Sequence, residues 1–268
     1  MTYQYIKNKL PKSLLHSARY VKDAIQRWPQ DWEATMHPRR RDSIHRLEEM
    51  KDIHKGERCF IIGNGPSLKN TDLTKIRNEY TFGMNRIYMM FPELGFSTTY
   101  FVSINDLVIE QTAEDIARLK IPKFLSWRSH QWVNSASDLF FLYTTYTGPK
   151  FEGNIKKRLW EGATVTYVAL QIAYYLGFKQ VILIGVDHSF ATKGKANTTV
   201  ISQGDDPNHF DPRYFGKGFR WQLPDLETSE IAYTMARHAF EKDKRTIIDA
   251  TIGGKLQVFP KVQYDSLF

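Results

Sequence analysis

The string Gly63-Asn64-Gly65-Pro66-Ser67-Leu68 directly follows a compact apolar run, Cys59-Phe60-Ile61-Ile62. A glycine pair after a buried strand lets backbone N–H groups approach a phosphate closely, and Asn64 or Ser67 can add a side-chain hydrogen bond. Ligands of open α/β sheets sit beyond the carboxyl ends of the strands, where this turn would lie. The string is not a dinucleotide fingerprint, because the third glycine of G-x-G-x-x-G would fall at Leu68. No G-x-x-x-x-G-K-[ST] phosphate loop occurs either. A plain turn is the competing explanation.

Asn85 and Asn105 each close an apolar segment. Singly they read as turn formers; together with Asn64 they would line one sheet edge with neutral donors and acceptors, which suits a ribose or sugar. Asp187, followed by His188, ends a second buried run and could bind a hydroxyl, a metal or a base, or simply cap. His209 lies in a long polar stretch and suits general acid–base work near neutral pH. Arg213, Lys217 and Arg220 in the same stretch could pair with phosphates or a carboxylate, or remain solvated. The chain has no D-x-D pair, so the common divalent-metal clamp of glycosyltransferases is not supported.

These residues need a scaffold, and the apolar pattern supplies one. Residues 164–176 carry helical periodicity with Gly177 just after, and Val181–Ile184 then form a buried strand ending at Gly185-Val186-Asp187. Helix, short turn and apolar strand in that order predict a mostly parallel sheet. Further strands are expected at Tyr100–Ile104, Phe124-Leu125, Leu139–Tyr143 and Thr246–Asp249, with a helix from Leu226 to Lys242. The polar stretch 188–224 is long for an ordinary connection and reads as a lid-like loop. Residues 56–268 thus form a single Rossmann-like α/β domain. Residues 1–55 form a basic helical extension with Leu14, Leu15, Ala18, Val21 and Ile25 at helical spacing, breaks at Pro29 and Pro38, and a further helix carrying Ile44, Leu47 and Met50.

The composition agrees with a folded domain: 268 residues, 42% hydrophobic and 25% charged. The single Cys59 excludes a disulfide framework and fits a reducing cytoplasm. No apolar run spans a bilayer, and the first residues lack the apolar stretch of a signal peptide. The net charge is +8, and residues 1–58 hold 13 Lys and Arg against 8 Asp and Glu. That balance favours anionic partners. The extension could rest on the inner membrane face or form an oligomer contact. Nucleic acid is not favoured, for want of any recognised motif.

The string Gly63–Leu68, then Gly83-Met84-Asn85-Arg86, then Gly177-Phe178-Lys179-Gln180-Val181 leading to Gly185-Val186-Asp187, resembles the MptE-like superfamily over about residues 56–265. That group includes 6-hydroxymethylpterin diphosphokinases and, remotely, bacterial sialyltransferases of glycosyltransferase family 42. The resemblance to the sialyltransferases implies that Asn64, Gly65 and Ser67 hold the phosphate and ribose of a CMP-sugar, with Asn85, Asn105, Thr164, Gly185, Val186 and Asp187 beside it. The tyrosines that follow this aspartate in the sialyltransferases are absent around Ser189 and Phe190. His209 aligns only with an earlier histidine of their loop.

Three functions follow as expectations. The first is a glycosyltransferase in surface polysaccharide or glycolipid synthesis, with His209 as base and a lid that excludes water. It needs no cofactor. The second is a pyrophosphokinase using ATP and Mg²⁺ on a pterin-like alcohol, with Asp106, Asp187, Asp205 and Asp206 as the candidate metal ligands. The third is a non-catalytic nucleotide- or sugar-binding module.

Overall fold

Short apolar runs buried on both faces make the sheet. The computed structural model describes residue 25 and residues 27–268. In chain order the first strands are β1 (Arg58–Ile62), β2 (Tyr80–Met84), β3 (Tyr100–Ser103), β4 (Lys123–Ser126) and β5 (Leu139–Leu142). A small parallel pair follows, β6 (Thr144–Thr145) with β7 (Leu159–Trp160). After these come β8 (Gln180–Ile184), the antiparallel ribbon β9 (Thr199–Ile201) and β10 (Arg220–Gln222), and β11 (Thr246–Asp249). The main sheet has seven strands in the order β11-β8-β1-β2-β3-β4-β5. All its pairings are parallel.

Alternation along the strands explains the two cores. Cys59, Ile61, Val181 and Leu183 point to one face, where they meet Tyr167, Ile172 and Phe240. Phe60, Ile62, Ile182 and Ile184 point to the other, against Val108, Ile109 and Ile116. The helices that cover the sheet are α1 (Pro38–Glu49), α2 (Asp106–Arg118), α3 (Val165–Tyr175) and α4 (Leu226–Lys242); a single helical turn at Phe91–Leu94 takes no number. Thr164 caps α3 through its side chain, and Asp225 does the same for α4. Helix α2 was not foreshadowed by the apolar pattern.

Pro38 does end the preceding helical stretch, 27–36, and also begins α1. Its missing N–H costs nothing at the first helical position, and it holds His37 in an extended conformation. Pro29, by contrast, lies inside the helical stretch. Leu14, Leu15, Ala18 and Val21 lie outside the described residues. Leu47 of α1 is fully buried in the first core. The basic residues here are largely engaged with the domain. Arg39 donates to His130 O, Arg40 to Lys156 O, and Arg46 to Ser137 O and Leu139 O.

The 188–224 stretch departs from a polar lid. Phe210, Tyr214, Phe215, Trp221 and Leu223 are all buried in the second core, so aromatic anchors fix it to the sheet edge. Among the described residues no helix is long and apolar enough to cross a membrane.

Candidate active site

From β1 the chain steps outward through β2, β3, β4 and β5, then returns to place β8 on the other side of β1. This reversal of strand order leaves a crevice at the carboxyl ends of β1 and β8. A cavity of about 260 Å³ opens there. Its lining includes Asn64, Gly65, Asn85, Asn105, Thr164, Gly185, Val186, Asp187 and His209. Gly63, Pro66 and Ser67 stand behind that surface, while Arg213 and Arg220 are not part of it. Arg213 pairs with Asp211 at 2.6 Å and Arg220 with Glu110 at 2.9 Å.

The glycine turn joins two connections of the chain. Gly63 N–H donates to Ile184 O at 2.7 Å and Gly65 N–H to Gly185 O at 2.9 Å. A Cβ on Gly63 would lie 2.1 Å from Gly185 O, and one on Gly65 would lie 1.9 Å from Asp187 Oδ2. The two glycines therefore permit the turns after β1 and β8 to touch. Asp187 closes that contact by accepting from Ser67 N at 3.1 Å and Ser67 Oγ at 2.6 Å. Both Asp187 oxygens are thereby engaged in a clamp, and the Ser67 hydroxyl directs its one proton to that carboxylate. Pro66 opens the 3-10 turn Pro66–Asn70 that carries Ser67.

Asn64 and Asn85 each have one half of the amide tied down, and Asn105 has both. Asn64 Nδ2 donates to Met84 O at 3.1 Å, while its Oδ1 is buried without a partner. An orphaned acceptor calls for a donor, which a hydroxyl or amine supplies and a phosphate oxygen does not. Asn85 adopts a left-handed conformation, φ 52°, and its Oδ1 accepts from Ser103 Oγ. Asn105 caps α2 through Val108 N and reaches Gln222 with its Nδ2. Thr164 sets the positive end of α3 against the cavity and contacts the Tyr233 hydroxyl at 3.2 Å.

His209 is the most organised ionisable group of the wall. Its Nδ1 lies 2.7 Å from Asp206 Oδ2, and its ring stacks on Tyr214 at 4.0 Å between centroids. A carboxylate accepts only, so Nδ1 carries a proton, and in the neutral ring Nε2 is the nitrogen with the lone pair. Asp206 is itself held by the N–H groups of Asn208 and Phe215. Asp206, a candidate metal ligand only under the pyrophosphokinase expectation, lies three positions before His209, and that short spacing is the one signal in the sequence for the pair. A second pair was also missed. His188, left-handed at φ 53°, lines the cavity and meets Glu230 at 2.9 Å, but Glu230 is largely exposed and holds it less firmly.

The family described as "MptE-like: 6-hydroxymethylpterin diphosphokinase MptE-like" matches residues 38–193, more than half of the sequence. The chain belongs to the MptE-like family. Its fold is shared with the MAf glycosyltransferase from Magnetospirillum magneticum AMB-1, at TM-score 0.51 and 15% identity over 85% of this chain. The MptE-like chain spans only 39% of that glycosyltransferase's length. A mammalian sialyltransferase in complex with Gal-beta-1-3GalNAc-ortho-nitrophenol matches at TM-score 0.39 and 13% identity, over 87% of this chain and 86% of that one. No curated protein sequence matches.

A diphosphokinase implies Mg²⁺, and the four carboxylates expected to hold it do not gather as one site. Asp187 is engaged by Ser67 and Asp206 by His209. Asp106 pairs with Arg128 at 2.8 Å, and Asp205 is exposed outside the cavity lining. Among the described residues no three His, Cys, Asp or Glu side chains gather as a metal site. Arg128 instead organises the far wall. It bridges Asp106 and Glu161 (2.7 Å), donates to Thr144 O, and lies over the Tyr146 ring. Burial pushes the Glu161 carboxyl above the ordinary carboxylate range, and Arg128 pulls it partly back.

Proposed function

We propose that this MptE-like chain is a glycosyltransferase. It takes a sugar from a nucleotide-activated donor, a CMP-sugar by preference, and passes it to a hydroxyl of a glycan or lipid-linked acceptor in surface polysaccharide or glycolipid synthesis. The observation that carries this reading is the Asp206–His209 pair, whose orientation suits a general base. His209 Nε2 accepts the proton of the acceptor hydroxyl as its oxygen bonds to the anomeric carbon. The bond from that carbon to the phosphate oxygen breaks, and the nucleoside monophosphate leaves. Asp206 stabilises the imidazolium that forms.

Two features support a donor with a single phosphate. Among the described residues no Lys or Arg lines the cavity, so little there would balance a diphosphate. The N-terminus of α3 at Thr164 can meet one anionic group. Trp28, Trp32 and Met36 share the exposed face of the stretch 27–36 and would be the contact with the inner membrane face.

A thermal-shift panel of CMP, CDP, UDP, GDP and ATP, each with and without Mg²⁺, tests the reading. CMP alone should raise the melting temperature. Stabilisation by ATP only with Mg²⁺ would overturn it in favour of the diphosphokinase.

A further inference from the structure

Arg86, Arg213 and Lys217 converge on an open groove outside the cavity, with Gln111, Gly216 and Gly218 completing it and no carboxylate among its lining residues. Arg86 makes no direct ion pair among the described residues, although the Asp211 carboxylate feels its charge. Its Nη1 donates to the carbonyls of Arg213 and Tyr214, and its Nε is buried with no partner. Lys217 makes no ion pair among the described residues, whereas Arg213 shares its charge with Asp211. A single buried ring, that of Tyr214, lies between the groove and the candidate base. The Tyr214 ring that stacks on His209 lies 5.9 Å from the Arg86 guanidinium carbon. Gly216 and Gly218 leave the backbone bare where a ligand would lie, with nothing within 4 Å of a Cβ placed on Gly218.

Three cations, Arg86, Arg213 and Lys217, set against the single carboxylate of Asp211 beside a sugar-transfer cavity have a chemical use. We infer that this groove binds a phosphoryl group of the acceptor, holding its anionic end while the hydroxyl reaches His209. This rests on the glycosyltransferase reading. The oxyanion would take charge-assisted hydrogen bonds from Arg213 and Lys217 and lie beside the Arg86 guanidinium. The phosphoryl group could belong to a lipid carrier or to a soluble phosphorylated glycan, which share this chemistry.

The test is calorimetric titration of the full chain with inorganic pyrophosphate. The double variant Arg213→Gln/Lys217→Gln is compared with the parent. Both side chains are exposed, and the one ion pair they form is a surface pair, so the fold should be kept. Binding to the parent should fall about tenfold or more in the variant, while CMP stabilisation stays the same. No binding to the parent, equal binding to both, or displacement of pyrophosphate by CMP would each overturn the proposal. Loss of CMP binding with pyrophosphate binding intact would sink the donor reading alone. A short-chain polyprenyl pyrophosphate in detergent separates the sources. Tighter binding than inorganic pyrophosphate identifies a lipid-linked acceptor, and equal binding a soluble one.

Discussion

Ser67 and Asp187 sit in turns that follow different strands, β1 and β8, and are joined by two hydrogen bonds of 2.6 and 3.1 Å. That clamp fixes the floor of the cavity at the point where strand order reverses. It exists only because residue 65 has no side chain, since a Cβ there would overlap Asp187 Oδ2.

Gly65→Ala should therefore destabilise the chain by about 1–3 kcal/mol, the range for forcing a methyl into a packed site. Asp187→Ala removes the obstacle as well as the clamp, so the double variant should be less destabilised than the sum of the singles. Urea unfolding of all four proteins gives the coupling. Strict additivity would show that the clamp is not what forbids a side chain at 65.

Asn64→Ala should weaken CMP binding by about 1–3 kcal/mol, because it removes a buried acceptor that has no partner within the chain. Isothermal titration measures this directly. An unchanged affinity would take Asn64 out of the site.

Much of this arrangement was legible in the residues. Apolar runs such as Val181–Ile184 announce strands because a parallel sheet buries both faces. The glycine and asparagine positions after them mark the carboxyl edge, and these residues do surround one cavity. Their bonding partners were not legible. The sequence does not say that Gly63 and Gly65 donate to the neighbouring turn, because that depends on how β1 and β8 pair. Nor does polarity reveal that Tyr214 and Trp221 anchor the 188–224 stretch. Arg128 and Glu161 lie 33 positions apart in separate connections, so no spacing could have linked them.

Arg128→Met leaves Asp106 and the buried Glu161 without their cation. A loss of about 3–5 kcal/mol is expected at neutral pH, the cost of an uncompensated buried charge. A carboxyl whose pKa is raised on folding contributes stability that is present at low pH and is lost as pH rises from the unfolded value through the raised one. Removing Arg128 raises it further, so the deficit should be smaller at about pH 5 than at about pH 8. Urea midpoints at the two values decide it. A deficit that grows on acidification would contradict the assigned direction.

The two histidine pairs of the cavity make opposite claims on the base, and kinetics can separate them. Asp206 is buried and held by two backbone N–H groups, whereas Glu230 is exposed, so His209 is the better oriented ring. Once a donor and acceptor are in hand, His209→Ala should lower turnover about 100-fold or more, with little change in donor affinity. Added imidazole should restore part of that loss, because the cavity left by the ring can admit it. His188→Ala should cost about tenfold or less. Asp206→Asn should reduce kcat while leaving KM for the donor near the parent value, since Asp206 touches His209 and not the substrate. If His188→Ala shows the larger loss, or His209→Ala turns over like the parent, the base is not His209 and the proton path runs through His188 and Glu230.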